Sequence, residues 1–481
     1  MSSLSANTVR AADKASPAEE VEQTIARHIA STRFDTLPSA AVRATKEHIL
    51  HTVATVMAGS CAPGVAELIE VFREFEGRSA STIIGWDMRV PPAHAAMANS
   101  LMGHAQDFDN NDDRIAYKSS VCAVPTALAV AESLGATTGR DLLTACCIGI
   151  DLGIRMGLAV TPYPTHSQSP ELGPFAAAAV AAKLMKLNEE QIWDALGLAL
   201  CGVATVGVST SGMSYSKRFE AGAASRNGIF AAQLASKGFK ARQPIFVGHG
   251  NYFKAVWDTE ADLSVLLADL GKTFEVTNVG PKPYPSCRYT HAPIDGALSL
   301  VAEHAINAAD VQEVRVAVGR RDFHVVFGGP AGLASKQAPQ SVVDAQFSIP
   351  YTVATAIICR RVFLEDFSPE AILRPDVVGL ARKVTPVVRE EFDKWPITVR
   401  PCEVEIVTRQ GGRFARRVDY AKGNPRNPVP LAEIRDNFLA CSQRTKIELG
   451  AGKALQARDM IENLERVDNV AEIAERLSGA K

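Results

Sequence analysis

The stretch FAAAAVAAKLMKLNEEQIWDALGLAL, residues 175–200, decides the fold of this chain. Its first half is so small and apolar that it predicts a helix packed tightly against others on several sides. Its second half contains a helix start, because the Asn188 side chain can cap free amides while Gln191 reaches back. Helical spacing of apolar residues extends this pattern from residue 16 to about residue 280.

The pattern changes after residue 310. The segment VQEVRVAVG alternates apolar residues at Val314, Val316 and Val318, which predicts a strand. The segment ITVRPCEVEIVTRQGGRFARRVDY predicts a β-hairpin that turns at Gly411 and Gly412. Strands therefore occur within a chain that is otherwise helical.

Helical segments lie between and after these strands. One is expected near AQFSIPYTVATAIICRR, and another is expected to start at Ser368 and Pro369. After the three prolines that follow Asn424, the chain returns to helix in LAEIRDNFLACS and ALQARDMIENLERVDNVAEIAERL.

These patterns predict a mainly α fold of two domains. A large all-α helical domain is expected from both chain ends, residues 19–280 and 422–481. A smaller α+β domain is expected to be inserted at residues 281–421. Residues 1–18 are predicted to be a disordered leader.

Composition narrows the function classes. The 481 residues are 47% hydrophobic and 22% charged, as in an ordinary globular protein. The net charge of -2 indicates neither a nucleic-acid partner nor an anionic membrane, and no apolar run reaches about 18 residues. Nine cysteines without a CxxC pair indicate reduced thiols and a cytoplasmic protein.

Several common catalytic patterns are missing from the sequence. It contains no GxSxG, Walker A, HExxH or strand-linked GxGxxG pattern. Serine hydrolase, P-loop, zincin and Rossmann functions are therefore disfavoured.

The acidic stretch HAQDFDNNDD, residues 104–113, is open to three interpretations: a solvated loop, a metal loop and a catalytic acid. As a calcium loop its first three ligand positions match, but the sixth is Asp112 instead of glycine. The twelfth is Lys118 instead of glutamate, so no metal site is predicted.

A second charged segment is GPKPYPSCRYTH, residues 280–291. Its three prolines stiffen an extended backbone, so Lys282, Arg288 and His291 lose little entropy when they bind a ligand. Such a rigid cationic segment suits a carboxylate grip. A proline-rich hinge with ordinary surface charges explains the pattern equally well.

Two further sites carry candidate residues. Lys217 and Arg218 precede a small-residue helix, where cations oppose the helix dipole unless an anionic ligand sits there as well. His166, in a long polar loop, is a natural proton shuttle. The alternatives are a solvated loop for the first and an ordinary surface histidine for the second.

Six further blocks occur in a fixed order along the chain. They are ANSLMGHAQDFDNN, VPTALAVAESLGATTGRDLLTA, GPFAAAAVAAKLMKLNEEQIWDALGLA, KRFEAGAASRNGIFAAQLASKGF, KPYPSCRYTHAPIDGA and AQFSIPYTVATAI. Together these blocks resemble the MmgE/PrpD family, in which the smaller α+β domain is a lid. That family includes 2-methylcitrate dehydratase, cis-aconitate decarboxylase and an iminodisuccinate epimerase. The resemblance, from about residue 20 to 470, implies the same two-domain fold, a homodimer and no metal or organic cofactor.

The resemblance also implies an active site. Asp107 falls on the cleft aspartate, while Lys217 and Lys282 fall on two cleft lysines. The residues implied to bind substrate are Asn111, Arg218, Cys287, Arg288 and His291.

This sequence departs from the family at two histidines. Tyr117 and Lys118 align where the family has an acid/base histidine followed by proline. The second family histidine has no clean counterpart, and His166 is displaced from it in sequence.

Reactions of this family build negative charge on a carboxylate while an adjacent carbon loses a proton. Lys217, Lys282 and Arg288 suit the developing charge. Candidate bases are Tyr117, His166 or a lysine neutralised by neighbouring cations. Asp107 would orient one of these groups or bind a substrate hydroxyl.

Three functions remain open on this basis. The first is a cofactor-independent lyase that dehydrates a hydroxy di- or tricarboxylate such as 2-methylcitrate. The second is an epimerase or racemase of a related dicarboxylate. The third is a non-catalytic dimer that binds a carboxylate. Each implies a small polycarboxylate as the partner.

Overall fold

The computed structural model describes residues 17–75, 77–160, 168–204, 215–248, 250–395 and 399–479. Helices and very short strands make up the described part of the chain up to residue 280. In chain order they are α1 (Pro17–Ser31), α2 (Ser39–Gly59), α3 (Val65–Arg73), β1 (Ser81–Thr82), β2 (Arg89–Val90), α4 (Pro92–Ala105), β3 (Asn111–Asp112), α5 (Ser119–Leu134), α6 (Gly139–Leu158), α7 (Ser169–Leu184), α8 (Glu189–Leu200), α9 (Ser216–Ser236), α10 (Tyr252–Trp257), α11 (Leu263–Leu267) and β4 (Val279–Gly280).

The alanine-rich stretch forms α7 and α8 as predicted. The side chains of residues 175–182 are all buried, and a Cβ added at Gly228 of α9 would lie 2.5 Å from the Ala177 Cβ. Small residues therefore let α7 and α9 approach closely. The capping of α8 is confirmed, because the Asn188 side chain accepts from the Gln191 N–H at 2.9 Å and its own N–H donates to Gln191 Oε1 at 3.1 Å.

The inserted segment contains the main sheet. Its elements are α12 (His291–Glu303), β5 (Val311–Val318), α13 (Arg320–Val326), α14 (Gly329–Gln337), α15 (Val342–Gln346), α16 (Ile349–Cys359), α17 (Pro375–Ala381), β6 (Val384–Val388), β7 (Cys402–Thr408) and β8 (Arg413–Val418). The strand order is β6-β5-β7-β8, with β5 parallel to β6 and the other pairs antiparallel. The predicted strand and hairpin are confirmed as β5 and as β7–β8.

One strand of this segment was not predicted, and one local prediction was wrong. Strand β6 contains Pro386, and proline is tolerated only in an edge strand such as this one. Ser368 and Pro369 do not start an α-helix. A short 3-10 turn, Ala371–Leu373, follows them, and α17 begins only at Pro375.

The chain ends in α18 (Leu431–Ser442), α19 (Ala451–Glu462) and α20 (Ala471–Arg476). Their apolar side chains join the core that residues 25–279 form, and α18 packs on α2. A second core is made only by residues 284–421, chiefly one face of the sheet with α12 and α16. The mainly α class with a smaller α+β part is therefore confirmed.

The predicted leader lies outside the described residues, apart from its last two positions, which start α1. Among the helices of the described ranges, none is both long and apolar enough to cross a membrane.

Candidate active site

A short strand pair brings the acidic stretch to the proline-rich segment. Strand β3 pairs antiparallel with β4, so that Asn111 lies opposite Gly280 and Asp112 opposite Val279. A Cβ added at Gly280 would lie 1.6 Å from the Gly423 carbonyl oxygen, so only glycine fits there. Three distant segments therefore meet at the boundary between the two cores.

Asp107 lies at the centre of this junction. It follows α4 with φ 49, a left-handed backbone that is uncommon outside glycine and is found at functional sites. One carboxylate oxygen contacts Lys217 Nζ, and the other is 3.0 Å from Lys282 Nζ. Burial opposes ionisation, but the two ammonium groups outweigh it and hold the pKa of Asp107 well below its usual range.

The two lysines differ in their access to solvent. Lys282 is 1% exposed and also donates to the Asp107 carbonyl oxygen at 2.7 Å. Lys217, in the first turn of α9, is 19% exposed, and its Nζ lies 5.5 Å from the ring centre of Phe347 in the smaller core. Although burial opposes its charge, Asp107 raises the pKa of Lys217. Both lysines thus pair with the same carboxylate.

Lys118 is a third lysine at the same place, and it was not chosen from the sequence. It is the N-cap residue of α5, is half-buried, and its Nζ donates to Asn111 Oδ1. Among the described residues it forms no ion pair. Burial, and after it the charge of Lys282, lowers the pKa of Lys118 to about 8.

Tyr117 does not reach the lysine cluster, which consists of Asp107, Lys118, Lys217 and Lys282. This corrects its predicted role as a base. Its side chain is buried in the helical core, where the ring lies against Gly153 of α6. Its hydroxyl has no hydrogen-bond partner among the described residues. Burial raises the pKa of Tyr117 well above its usual value, so its phenolate is inaccessible near neutral pH.

Arg288 is committed to holding the junction together. Its Nε and Nη2 bind both oxygens of Asp113, at 2.7 and 2.6 Å, and its Nη1 donates to the Lys422 carbonyl oxygen at 2.6 Å. Asn424 donates to the same Asp113 carboxylate at 2.8 Å. Because its donors are already used, Arg288 does not serve as the free substrate cation that the sequence suggested.

His291 is committed in the same way. Its Nδ1 lies 3.2 Å from Arg288 Nη1 and its Nε2 lies 3.1 Å from the Ser286 carbonyl oxygen. Burial, and after it Arg288, holds the pKa of His291 well below its usual range. A neutral ring with both nitrogens occupied orients the segment instead of binding substrate.

Of the remaining predicted residues, some lie in or beside the lysine cluster and others do not. Asn111 lies in the cluster, where its amide nitrogen donates to Asp113 Oδ1 at 2.8 Å. Cys287 is buried nearby, and burial, with Asp107 adding to it, raises the pKa of its thiol. Arg218 lies away from the cluster, because it donates to the Pro63 carbonyl oxygen at 2.8 Å and lies over the Tyr215 ring. His166 lies outside the described residues.

A buried dyad in the acidic stretch was also missed. His104 Nδ1 lies 2.9 Å from Asp109 Oδ2, and both side chains are buried. Although burial opposes ionisation, His104 lowers the pKa of Asp109 to about 2. The signal available in the sequence was that both residues lie within the acidic stretch, residues 104–113. Among the described residues, no group of three or more His, Cys, Asp or Glu side chains is placed to hold a metal ion.

Comparison with known proteins gives two family matches. The model of the MmgE/PrpD N-terminal domain matches residues 23–263, and that of the MmgE/PrpD C-terminal domain matches residues 284–465. Together they cover most of the chain.

Individual relatives share about a quarter of their residues with this chain. The chain is 25% identical over 465 residues to cis-aconitate decarboxylase of Aspergillus terreus (strain NIH 2624 / FGSC A1156), covering 92% of this chain and 93% of that protein. It is 24% identical over 482 residues to cis-aconitate decarboxylase of Homo sapiens, covering 96% and 95%. With the enzyme of that name from Mus musculus it shares 25% identity over 462 residues, covering 93% and 89%.

Proposed function

Because the chain belongs to the MmgE/PrpD family, we propose that it is a lyase that acts on a small polycarboxylate. The observation that carries this proposal is the arrangement of Lys118, Lys217 and Lys282 around the single carboxylate of Asp107. Two of the three side chains are partly exposed, so they can meet a ligand.

Within the described ranges Lys118 has no direct carboxylate partner. Arg288 pairs with Asp113, two lysines share Asp107, and Asp109 pairs with His104. Lys118 contacts the amide oxygen of Asn111, although the charges of Asp107 and Asp109 also act on it. A substrate carboxylate between Lys118 and Lys217 would give Lys118 a direct counter-ion, and it would be held more firmly as charge builds on it during reaction.

Decarboxylation is the first candidate reaction. The relatives carry that activity in their names. The reaction requires cations that hold the substrate carboxylates. It also requires one group that delivers a proton to the carbon from which carbon dioxide has departed. The lysine cluster provides both kinds of group.

Dehydration of a hydroxy di- or tricarboxylate such as 2-methylcitrate is the second candidate. It needs a base beside the substrate, and an amine whose pKa is about 8 is partly neutral at physiological pH. Epimerisation would need two opposed bases, whereas Lys217 and Lys282 both pair with the carboxylate of Asp107. The cluster therefore favours the two lyase reactions.

Proton NMR in deuterium oxide tests the proposal with a panel of polycarboxylates that includes cis-aconitate, citrate and 2-methylcitrate. A decarboxylase releases carbon dioxide and forms a product with one solvent deuteron. A dehydratase forms a new alkene with loss of water. Exchange of an α-proton without either product would identify an epimerase, and silence across the panel would count against catalysis.

A further inference from the structure

We propose that the Lys118 amine is the group that transfers the proton between solvent and the reacting carbon of the substrate. The inference rests on the proposed lyase function and assigns its proton-transfer step to one residue. Lys118 stands next in sequence to Tyr117, which was one of the candidate bases predicted from the sequence.

The pairing of the three lysines singles out Lys118. Lys217 and Lys282 each contact a carboxylate oxygen of Asp107, and a direct ion pair keeps an ammonium group protonated. Lys118 lies in the same field of positive charge, but its contact is the neutral amide oxygen of Asn111. It is therefore the lysine of the cluster that gains and loses a proton most easily.

The other titratable groups of the junction are less suited. Tyr117 and His291 are buried, and their pKa values are shifted away from neutrality by burial. His104 is bound to Asp109, and its side chain is 0% exposed. Lys118 differs from these groups in being only half-buried.

The surrounding charges set the proton affinity of Lys118. Burial and the ammonium groups of neighbouring lysines oppose its protonation, and the carboxylates of the acidic stretch favour it. The balance brings the pKa of Lys118 to about 8, close to the pH at which a proton donor or acceptor works best. The charged groups that face it are Asp107, Asp109, Asp113, Lys217 and Lys282.

In decarboxylation Lys118 acts as the proton donor. The bond between the departing carboxylate and its neighbouring carbon breaks, and carbon dioxide leaves without the bonding electron pair. That pair takes a proton from the Lys118 ammonium and forms the new C–H bond. The neutral amine is then reprotonated by water.

For dehydration Lys118 acts in the opposite sense. The neutral amine takes the proton from the carbon beside the carboxylate, and the C–H electron pair becomes the new π bond as the C–O bond breaks. The ammonium returns its proton to the leaving hydroxide, so that water departs. The amine ends as it began.

The pH profile separates these two directions. A donor must start protonated, so kcat/KM of a decarboxylase should fall as the pH rises through about 8, the pKa of Lys118 in the free enzyme. A base must start neutral, so kcat/KM of a dehydratase should rise through the same pH. A profile that is flat between pH 7 and pH 9 would overturn the assignment.

The variant experiment compares Lys118→Ala and Lys118→Arg with Tyr117→Phe, on whichever substrate the wild type converts. Loss of a general acid or base lowers kcat by roughly 10²- to 10⁴-fold. We expect that loss of kcat for Lys118→Ala, in addition to any rise in KM from the lost contact with the substrate carboxylate, and partial recovery on addition of ethylamine. Lys118→Arg keeps the charge but cannot give up its proton, so it should stay inactive. Tyr117→Phe should keep the wild-type rate.

Three results would overturn the inference while leaving the lyase function intact. They are a wild-type rate in Lys118→Ala, a raised KM with unchanged kcat, and activity in Lys118→Arg. A wild type that converts nothing in the panel would instead remove the proposed function, and the inference with it. Should Lys118→Ala fail to fold by circular dichroism, Lys118→Met, which keeps the length of the side chain, takes its place.

Discussion

At the scale of the residue, the Asp107 carboxylate shares its charge between two ammonium groups that differ in burial. Lys282→Ala should abolish turnover and, because it removes a partner of a buried carboxylate, lower the free energy of unfolding by about 3 kcal/mol. Lys217→Ala should also abolish turnover, with a smaller loss of stability, because its side chain is partly exposed. Steady-state kinetics and urea unfolding measure the two effects.

The matched control is Lys254→Ala. That lysine is exposed, belongs to α10 and pairs with Asp258 away from the junction, so both quantities should stay at wild-type values. Wild-type turnover in both Lys217→Ala and Lys282→Ala would remove Asp107 and its partners from the active site.

At the same scale, only part of the candidate site could be predicted from the sequence. Asp107, Lys217 and Lys282 were predicted from the resemblance, and the structure brings all three together. Tyr117 and Lys118 were not distinguished, because neighbouring residues at a helix start project in different directions and the sequence does not fix which one faces the junction. The general prediction of a lysine neutralised by neighbouring cations nevertheless describes Lys118.

At the scale of the element, the junction depends on a turn that comes within reach of the proline-rich segment. Gly423 has φ +91, and a Cβ added there would lie 2.4 Å from the Pro281 carbonyl oxygen. Gly423→Ala should therefore combine left-handed strain with a backbone clash, lowering both stability and turnover. Thermal unfolding and kinetic assays measure these losses.

Gly411 provides the control for backbone strain alone. It has φ +85 in the β7–β8 turn, and an added Cβ meets nothing within 4 Å. Gly411→Ala should lower the free energy of unfolding by about 1 kcal/mol and leave turnover unchanged. Equal effects of the two substitutions would show that the approach of Gly423 to Pro281 is unimportant.

Elements with a strong local signal were predicted from the sequence, and those set by tertiary contacts were not. The α8 cap and the β7–β8 hairpin follow from side chains a few residues apart. Strand β6 depends on pairing with β5, more than 60 residues earlier in the chain. It also contains a proline, which is rare in strands and so weakens the strand pattern. The β3–β4 pair is too short to leave any pattern.

At the scale of the whole molecule, two buried histidines of α2 make stability depend on pH. His48 Nε2 lies 3.0 Å from the Val276 carbonyl oxygen, and His51 Nε2 lies 2.7 Å from that of Phe108. Burial lowers the pKa of each to about 4 from an ordinary value of 6.5. Because the folded state resists protonation, the stability they contribute is present above pH 6.5 and is lost as the pH falls towards 4.

The expected loss is about 3 kcal/mol per histidine when protonation is complete. His51→Gln keeps a donor for the Phe108 carbonyl oxygen but does not titrate, so its urea midpoint should fall less than that of the wild type between pH 7 and pH 5. His304→Gln, at an exposed position, should follow the wild type. Parallel curves for all three proteins would contradict the assignment.

The helical core also has a consequence for synthesis on the ribosome. Residues 429–477 complete the core that residues 25–279 begin, and Lys46 Nζ of α2 donates to the Glu462 carbonyl oxygen at 3.0 Å across that seam. The inserted core, residues 284–421, is whole before those last helices emerge. The second unit can therefore fold while the first still exposes an apolar face, the reverse of the usual vectorial order. A stalled nascent chain would be a client for chaperones, with the face of α2 that α18 later covers as the surface they hold.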